Sequence, residues 1–200
     1  MACKIKICGL TRIDDIIAVN EARPDYIGFV FAESRRRISP ENARRLRAAL
    51  APGIGAVGVF VNPDPAEVLA VTKAGIIDLI QLHGTEDEDM IRWIQEKTGR
   101  QVIKAVSVTG RSSLAAWRTS AADYLLFDNG AGGTGKTFDW TLAQGERRPF
   151  FLAGGLCEDN IPAAMGLSPY CLDVSSGAET DGVKDREKIR RIVAMIRCGS

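Results

Sequence analysis

Two side chains in this sequence have the chemistry of an acid-base pair: the thiol of Cys8 and the carboxyl of Asp128. Each ends a short apolar run, so each is predicted to stand at the end of a β-strand. A helix opening directly after Cys8 would favour the thiolate and lower the thiol pKa from its free value of about 8.5. An apolar, water-poor surrounding would keep Asp128 able to donate a proton near neutral pH. An inert core cysteine and a loop-ordering aspartate are the structural alternatives.

Two loops of small residues follow the seventh and eighth apolar runs of the chain. They have the sequences Gly154-Gly155-Leu156 and Ser175-Ser176-Gly177-Ala178. Backbone N–H groups in loops of this kind bind phosphate, and barrel enzymes commonly place such loops after strands seven and eight. The predicted phosphate-binding residues are Gly154, Gly155, Ser176, Gly177 and Ala178.

Three further polar residues are candidates for binding a substrate. Arg36 carries a planar fork suited to a carboxylate, although a solvated surface charge is the alternative. His83 is the single histidine and follows the fourth apolar run. Asp173 lies near the end of the eighth run. For His83 and Asp173, a structural hydrogen-bonding role is an equal alternative.

A glycine-rich segment, GAGGTGKT at residues 130–137, matches the phosphate-loop pattern of nucleotide-binding proteins. That pattern normally leads into a long helix, whereas here the next stretch, Phe138 to Gln144, ends at Gly145. Five strand-and-helix units before it are also unexplained by a nucleotide site. An active-site loop is therefore preferred, and a nucleotide-binding protein or small kinase that loses Mg-ATP binding on Lys136→Ala is the second hypothesis.

These candidates must be positioned by the elements around them, and the chain repeats one unit, an apolar run followed by a polar loop and an amphipathic stretch. The eight predicted strands are Lys4 to Cys8, Tyr26 to Phe31, Gly55 to Val61, Asp78 to Leu82, Val102 to Val106, Tyr124 to Asp128, Phe150 to Ala153 and Cys171 to Val174. The predicted helices include Arg12 to Glu21, Pro40 to Leu50, Pro65 to Ala74, Glu86 to Lys97 and Lys184 to Arg197.

Apolar strands that alternate with helices indicate an α/β fold with a parallel sheet buried on both faces. Eight units favour a closed (β/α)8 TIM barrel over an open doubly wound sheet. No linker divides the chain, so residues 1–200 are predicted to form a single catalytic domain. In such a barrel the active site lies where the strands end at their carboxyl termini.

Composition excludes several classes of partner. A net charge of +1 gives no basic field for nucleic acid or an anionic membrane, and every apolar run is too short to span a bilayer. Five cysteines without CxxC spacing, and with no signal peptide before them, predict a reducing cytoplasm and no metal site.

Taken together, the motifs resemble the phosphoribosylanthranilate isomerase family over essentially the whole chain. The matching segments are Lys6 to Thr11, SRRRISP from Ser34 to Pro40, Gly58 to Asn62, Gln81 to Gly84, Phe127-Asp128 leading to GGTGKTFDW, LAGGL from Leu152 to Leu156, and LDVSSGAET from Leu172 to Thr180 followed by Gly182 to Asp185. Each is weak alone, and their order makes them specific. The family pattern has a proline at the position of Arg35, so Arg35 and Arg37 remain alternatives to Arg36.

The resemblance implies an Amadori rearrangement of N-(5-phosphoribosyl)anthranilate in tryptophan biosynthesis, with no metal and no organic cofactor. In that scheme Asp128 protonates the furanose ring oxygen, and Cys8 removes the proton from C2. Arg36 binds the anthranilate carboxylate, and the loops of Gly155 and Gly177 bind the phosphate. The partner is a small sugar phosphate, and a monomer is the expected state.

Two alternatives stay open beside the isomerase and the nucleotide-binding protein. One is a barrel that binds a phosphorylated metabolite without converting it. The other is activity on the aminoaldose of histidine biosynthesis. The related isomerase of that pathway resembles a two-aspartate site, and the cysteine at position 8 disfavours it here.

Overall fold

The computed structural model describes residues 2–110, 117–129 and 137–199. Eight parallel strands pair in sequence order, and β8 pairs with β1, so the sheet closes into a barrel. The strands are β1 (Lys4–Cys8), β2 (Tyr26–Val30), β3 (Gly55–Phe60), β4 (Leu79–Leu82), β5 (Val102–Ser107), β6 (Tyr124–Asp128), β7 (Phe150–Leu152) and β8 (Cys171–Val174). The predicted TIM barrel is confirmed.

Helices pack outside the barrel. They are α1 (Ile13–Ala22), α2 (Pro40–Ala49), α3 (Pro65–Lys73), α4 (Glu88–Thr98), α5 (Ile161–Met165) and α6 (Arg186–Cys198). Several begin at a side-chain cap: Ser39 accepts from Asn42 N, and Asp87 accepts from Met90 N. Such caps satisfy backbone N–H groups that have no partner within the helix. No helix in the described ranges has the length and apolar content needed to cross a membrane.

Strand side chains alternate between two cores because successive residues point to opposite faces of the sheet. One core lies between the barrel and the helices and includes Ile5, Ile7, Phe29 and Phe127. The second fills the barrel, and its members are Val57, Leu79, Ile103, Ala105, Leu126, Phe151, Ala153 and Cys171. The strand residues of the site described below lie on the inward face, in step with this second core.

The amino-terminal end of the barrel is closed by an aromatic floor, formed by Lys4, Tyr26, Tyr124, Phe151 and Tyr170. The Lys4 ammonium donates to the hydroxyls of Tyr26 at 3.2 Å and Tyr170 at 2.9 Å. Tyr124 stacks on Tyr170 with ring centroids 4.8 Å apart. Burial of these rings packs this end of the barrel and separates it from the opposite end.

Most predicted elements end within one residue of the observed bounds, and the structure departs further from the prediction at the starts of two helices. Helix α4 begins at Glu88 instead of Glu86, because the Glu86 side chain is buried against Lys104 and Asp87 provides the cap. Helix α6 begins at Arg186 because Lys184 belongs to a short antiparallel pair, β9 (Glu179–Thr180) and β10 (Val183–Lys184), which was not predicted. The described part of the segment between β6 and β7, residues 137–149, contains a 3₁₀ turn at Trp140–Ala143 instead of a long helix, in line with the compact sequence there.

Candidate active site

A cavity of about 290 Å³ opens at the carboxyl ends of the strands. Cys8, Arg36, His83, Asp128, Gly154, Gly155, Asp173 and Ser176 line it, all of them candidates named from the sequence. Two other candidates do not line it: Ala178 is fully buried behind the loop, and Gly177 packs against backbone. The structure thus brings residues from six strand ends to one concave surface.

Cys8 is buried at the end of β1, and its surroundings differ from those predicted. Helix α1 begins only at Ile13, with Arg12 as its N-cap, so its first turn does not follow the thiol directly. Burial raises the pKa of Cys8, and the ammonium groups of Lys6 and Lys184 oppose that rise. The expected lowering of the thiol pKa by a helix terminus is therefore wrong. Thiolate formation depends on the two lysines instead.

Gly28 of β2 provides the space that the thiol occupies. A Cβ atom at this position would lie 2.6 Å from Cys8 Sγ and 3.2 Å from Lys6 Cε. Both distances are shorter than ordinary van der Waals contact. Only a residue without a side chain leaves Cys8 and Lys6 in their observed positions.

Asp128 ends β6 opposite a histidine. His83 Nε2 lies 3.2 Å from Asp128 Oδ2, and Asn129 N donates to Asp128 Oδ1 at 2.7 Å. The other ring nitrogen, His83 Nδ1, is 2.9 Å from Gln81 Nε2. Asp128 is therefore held at both oxygens and still borders the cavity.

Lys6 lies wholly inside the barrel below the cavity. Its ammonium donates to Asp173 Oδ2 at 2.7 Å and to Gln81 Oε1 at 2.8 Å. Burial alone would lower the pKa of Lys6, but Asp173 and Cys8 raise it above its ordinary value. Asp173 Oδ1 is buried with no hydrogen-bond donor in the described residues, although Asp173 lines the cavity. That oxygen is therefore a buried polar atom that the described residues leave unsatisfied.

Arg36 is held by Glu179 of β9. Its Nε and Nη2 donate to the two carboxylate oxygens at 2.6 Å and 3.0 Å. Arg35 and Lys184 contact the same carboxylate at 2.7 Å and 2.5 Å. Three cations around one anion leave the group with excess positive charge beside the cavity.

The two small-residue loops lie against each other. A Cβ at Gly177 would come within 1.9 Å of the Leu156 carbonyl oxygen, so a larger residue cannot occupy this position without moving backbone. Gly154 and Gly155 have φ values of 85° and 66°, a region that favours glycine. Asn160 fixes this loop by accepting from Cys157 N and donating to the Gly155 carbonyl. The loops form one rigid wall of the cavity.

Sequence reasoning missed Lys6, Gln81, Glu179, Lys184 and Gly28. Strand alternation carried the signal for the first two, because Lys6 precedes Cys8 by two positions and Gln81 precedes His83 by two. Polar residues at those inward positions are costly without partners, so they point to a network. Glu179 and Lys184 had no comparable signal, since the antiparallel pair that carries them was not predicted.

The glycine-rich segment at residues 130–136, including Lys136, lies outside the described residues, and so does the site it was expected to form. Within residues 2–110, 117–129 and 137–199, no group of three or more His, Cys, Asp and Glu side chains is arranged to hold a metal ion.

A closed eight-stranded barrel with a thiol, a carboxyl and two glycine loops around one cavity has the architecture of a TIM-barrel enzyme. A family model described as N-(5'phosphoribosyl)anthranilate (PRA) isomerase matches residues 5–195. The chain belongs to this family, and it is an isomerase of tryptophan biosynthesis. The match includes the glycine-rich segment, which favours the isomerase over a nucleotide-binding protein.

Individual relatives agree with this assignment. The N-(5'-phosphoribosyl)anthranilate isomerase of Endomicrobium trichonymphae is 48% identical over 199 residues, covering 97% of this chain and 98% of the relative. The phosphoribosyl anthranilate isomerase of Thermus thermophilus has a solved structure with a TM-score of 0.90 and 34% identity, covering 98% of each chain. A third, at 35% identity and TM-score 0.85 over 98% of this chain and 99% of the other, was solved with reduced 1-(o-carboxyphenylamino)-1-deoxyribulose 5-phosphate.

Proposed function

We propose that the chain rearranges N-(5-phosphoribosyl)anthranilate by proton transfer from Asp128 and to Cys8, within the cavity at the carboxyl ends of the strands. The observation that carries this proposal is that β1 and β6 present a thiol and a carboxyl to one cavity. Groups held on separate rigid strands can act on different atoms of one bound substrate.

The first step uses Asp128 as general acid. Its proton passes to the ring oxygen, the bond from C1 to that oxygen breaks, and the nitrogen lone pair forms a C1=N Schiff base. His83 Nε2 contacts Asp128 Oδ2 and limits its rotation. The carboxyl is thereby kept in one orientation toward the ligand.

The second step uses Cys8 as general base. The thiolate takes the proton from C2, and the electrons of that bond form a C1=C2 enolamine while the Schiff-base nitrogen becomes neutral. The enolamine then tautomerises to the ketone. Lys6 and Lys184 support the thiolate form by opposing the rise in pKa that burial causes. A cysteine can remove a carbon-bound proton only as the thiolate.

Substrate binding is assigned to the polar residues around these two groups. Backbone N–H groups of the loops containing Gly154, Gly155, Ser176, Gly177 and Ala178 bind the phosphate. The outer edge of Arg36 binds the anthranilate carboxylate, supported by the excess positive charge around Glu179. His83 and Asp173, which both line the cavity, bind ligand hydroxyl or amine groups.

The roles are tested with Cys8→Ala and Asp128→Asn, using substrate generated in situ and the fluorescence change of its anthranilate group. Each variant is expected to lose turnover while its circular dichroism and thermal transition stay close to wild type. Cys198→Ala, at an exposed cysteine, and Asp89→Asn, at an exposed carboxyl on α4, are the matched controls. Full activity in either site variant would overturn its assigned role.

We further propose that one chain forms the complete site, that the enzyme acts as a monomer, and that it works in the cytoplasm on a sugar phosphate without nucleic acid or membrane partners. Five free thiols suit a reducing compartment. Sedimentation at assay concentrations tests the monomer, since a dimer that retains full activity only when associated would contradict it.

A further inference from the structure

A chain of hydrogen-bonded side chains runs from beneath Cys8 to Asp128. It begins at the Lys6 ammonium, which donates to Gln81 Oε1 at 2.8 Å. Gln81 Nε2 then lies 2.9 Å from His83 Nδ1, and His83 Nε2 lies 3.2 Å from Asp128 Oδ2. Lys6 is 0% exposed and Gln81 is 1% exposed, so water does not compete for the contact between them, whereas the His83 side chain is 24% exposed at the cavity.

We propose that Lys6 and Gln81 are positioning residues that serve both proton-transfer groups: Lys6 orients the Gln81 amide, the amide sets the tautomer of His83, and the same Lys6 ammonium lies beside Cys8. This inference rests on the roles proposed for Cys8 and Asp128. One buried lysine would thus influence both Cys8 and Asp128, which are far apart in the sequence.

The first branch of the network leads through His83. An ammonium group has hydrogens to donate and no lone pair, so Lys6 can bind only the oxygen of the Gln81 amide. The amide nitrogen, which is a donor, must then face His83 Nδ1. Nδ1 consequently accepts, the ring carries its proton on Nε2, and that N–H donates to Asp128. The opposite tautomer would place two donors against each other at Nδ1.

The second branch concerns Cys8. The charged groups that face its thiol are Lys6 on the same strand, Asp173 on β8 and Lys184 on β10. Lys6 and Cys8 lie side by side, since a Cβ at Gly28 would be 3.2 Å from Lys6 Cε and 2.6 Å from Cys8 Sγ. Burial raises the pKa of the thiol, Lys6 is the largest opposing influence, and Asp173 adds to the rise. Removing the Lys6 charge leaves burial and Asp173 acting together against the thiolate.

A purely structural role explains this network less well than a role in positioning Cys8 and Asp128. Buried charged pairs are often no more stabilising than apolar side chains of similar volume, and an all-apolar layer is the usual filling of a barrel. The network also leads to Asp128 at the cavity, and its charged end lies beside Cys8 there. A network that only filled space would have no need of these endpoints.

The His83 branch is tested by NMR, because the chain has a single histidine and its imidazole signals need no further assignment. Long-range ¹H–¹⁵N spectra of labelled protein without substrate are expected to show the Nε2–H tautomer. Gln81→Met and Lys6→Met should each abolish this preference. Lys4→Met removes a lysine two residues away on the same inward face and should leave the tautomer unchanged. An Nδ1–H ring in wild type, or an unchanged ring in Gln81→Met, would overturn this branch.

The Cys8 branch is tested by the rate of iodoacetamide alkylation against pH, measured at the Cys8 peptide by mass spectrometry. Loss of an opposite charge at this range shifts a pKa by about one unit or more, so Lys6→Met should slow alkylation at pH 8 at least tenfold. Gln81→Met and Lys4→Met should leave this rate near wild type. Unchanged alkylation in Lys6→Met would overturn the branch.

Two design choices keep the result interpretable. If Lys6→Met does not fold, the double variant Lys6→Met with Asp173→Asn removes the buried anion as well. It should alkylate more slowly than wild type but less slowly than the single variant, because Asp173 no longer raises the thiol pKa while the larger influence of Lys6 is lost. Both readouts are taken without turnover, so they stand even if Cys8→Ala proves active and the proposed acid-base roles fail. In turnover assays, Gln81→Met should lower kcat with its alkylation profile unchanged, whereas a general packing defect would alter both.

Discussion

Gly28→Ala is expected to inactivate the enzyme without unfolding it, because one methyl group would enter the space of the Cys8 thiol. The added Cβ would lie 2.6 Å from Cys8 Sγ and 3.1 Å from Cys8 Cα. Non-bonded heavy atoms sit comfortably at about 3.5 Å or more, so the thiol must move by roughly 1 Å. Since Cys8 Cα is backbone, the side chain has to make most of this adjustment.

The size of the effect follows from this displacement. A misplacement of about 1 Å at a reacting group can cost about 100-fold in rate, so kcat should fall by that factor. Extra volume in a packed interior also costs about 1 to 3 kcal/mol of unfolding free energy. The fluorescence assay gives kcat, and urea unfolding gives the stability of the same preparation.

Gly58→Ala is the matched control. Gly58 is also a strand glycine, and its Cβ would lie 2.8 Å from Ile77 Cδ1, in the core between barrel and helices. It should lose a similar amount of stability and keep its kcat. A Gly28→Ala enzyme that turns over at the wild-type rate would refute the claim that this glycine positions the thiol.

Three further perturbations test other parts of the structure. Glu179→Gln should destabilise the protein by about 3 kcal/mol at pH 7 in urea unfolding, because it breaks a buried ion cluster. Burial alone would raise the pKa of Glu179, but hydrogen bonds from Arg36 and Lys184 lower it below the ordinary 4.5. This stabilisation is therefore present above pH 4.5 and is lost as pH falls through the lowered pKa, so the difference in unfolding free energy between wild type and variant should shrink on acidification. Gly177→Ala should raise KM for the substrate at least tenfold, because its Cβ would meet the Leu156 carbonyl at 1.9 Å; an unchanged KM would remove that loop from phosphate binding. Arg148→Met should cost about 2 kcal/mol in thermal or urea unfolding, since the Arg148 guanidinium donates to four backbone carbonyls between residues 117 and 122; a loss below 0.5 kcal/mol would contradict this estimate.

The barrel could be predicted because its signal is local and repeated. Apolar strands such as Tyr26–Val30 and Cys171–Val174 are continuous, and charged amphipathic stretches separate them, so element type and order follow from periodicity. Strand ends also located Cys8 and Asp128 at the same rim. Element boundaries differed from the prediction by one or two residues where a side chain makes a tertiary contact instead of extending the element, as Glu86 does with Lys104.

The electrostatics of the site could not be predicted in the same way. The sequence places Cys8 before a glycine and suggests a helix terminus, but the thiol pKa depends on burial and on Lys184, which is 176 positions away. Arg36 likewise pairs with Glu179 through the short antiparallel pair, an element of two-residue strands with no periodicity to detect. Contacts between distant segments set both properties, and no local pattern encodes them.

The aromatic floor has a consequence for how ligands exchange. Passage along the barrel axis is blocked by Lys4 and the rings of Tyr26, Tyr124 and Tyr170. Substrate and product therefore enter and leave through the same opening of the cavity, above Cys8 and Asp128. Departure of one molecule must then precede arrival of the next. The product should accordingly be a competitive inhibitor with respect to substrate. Progress curves followed to high conversion should show this inhibition as a slowing of the rate.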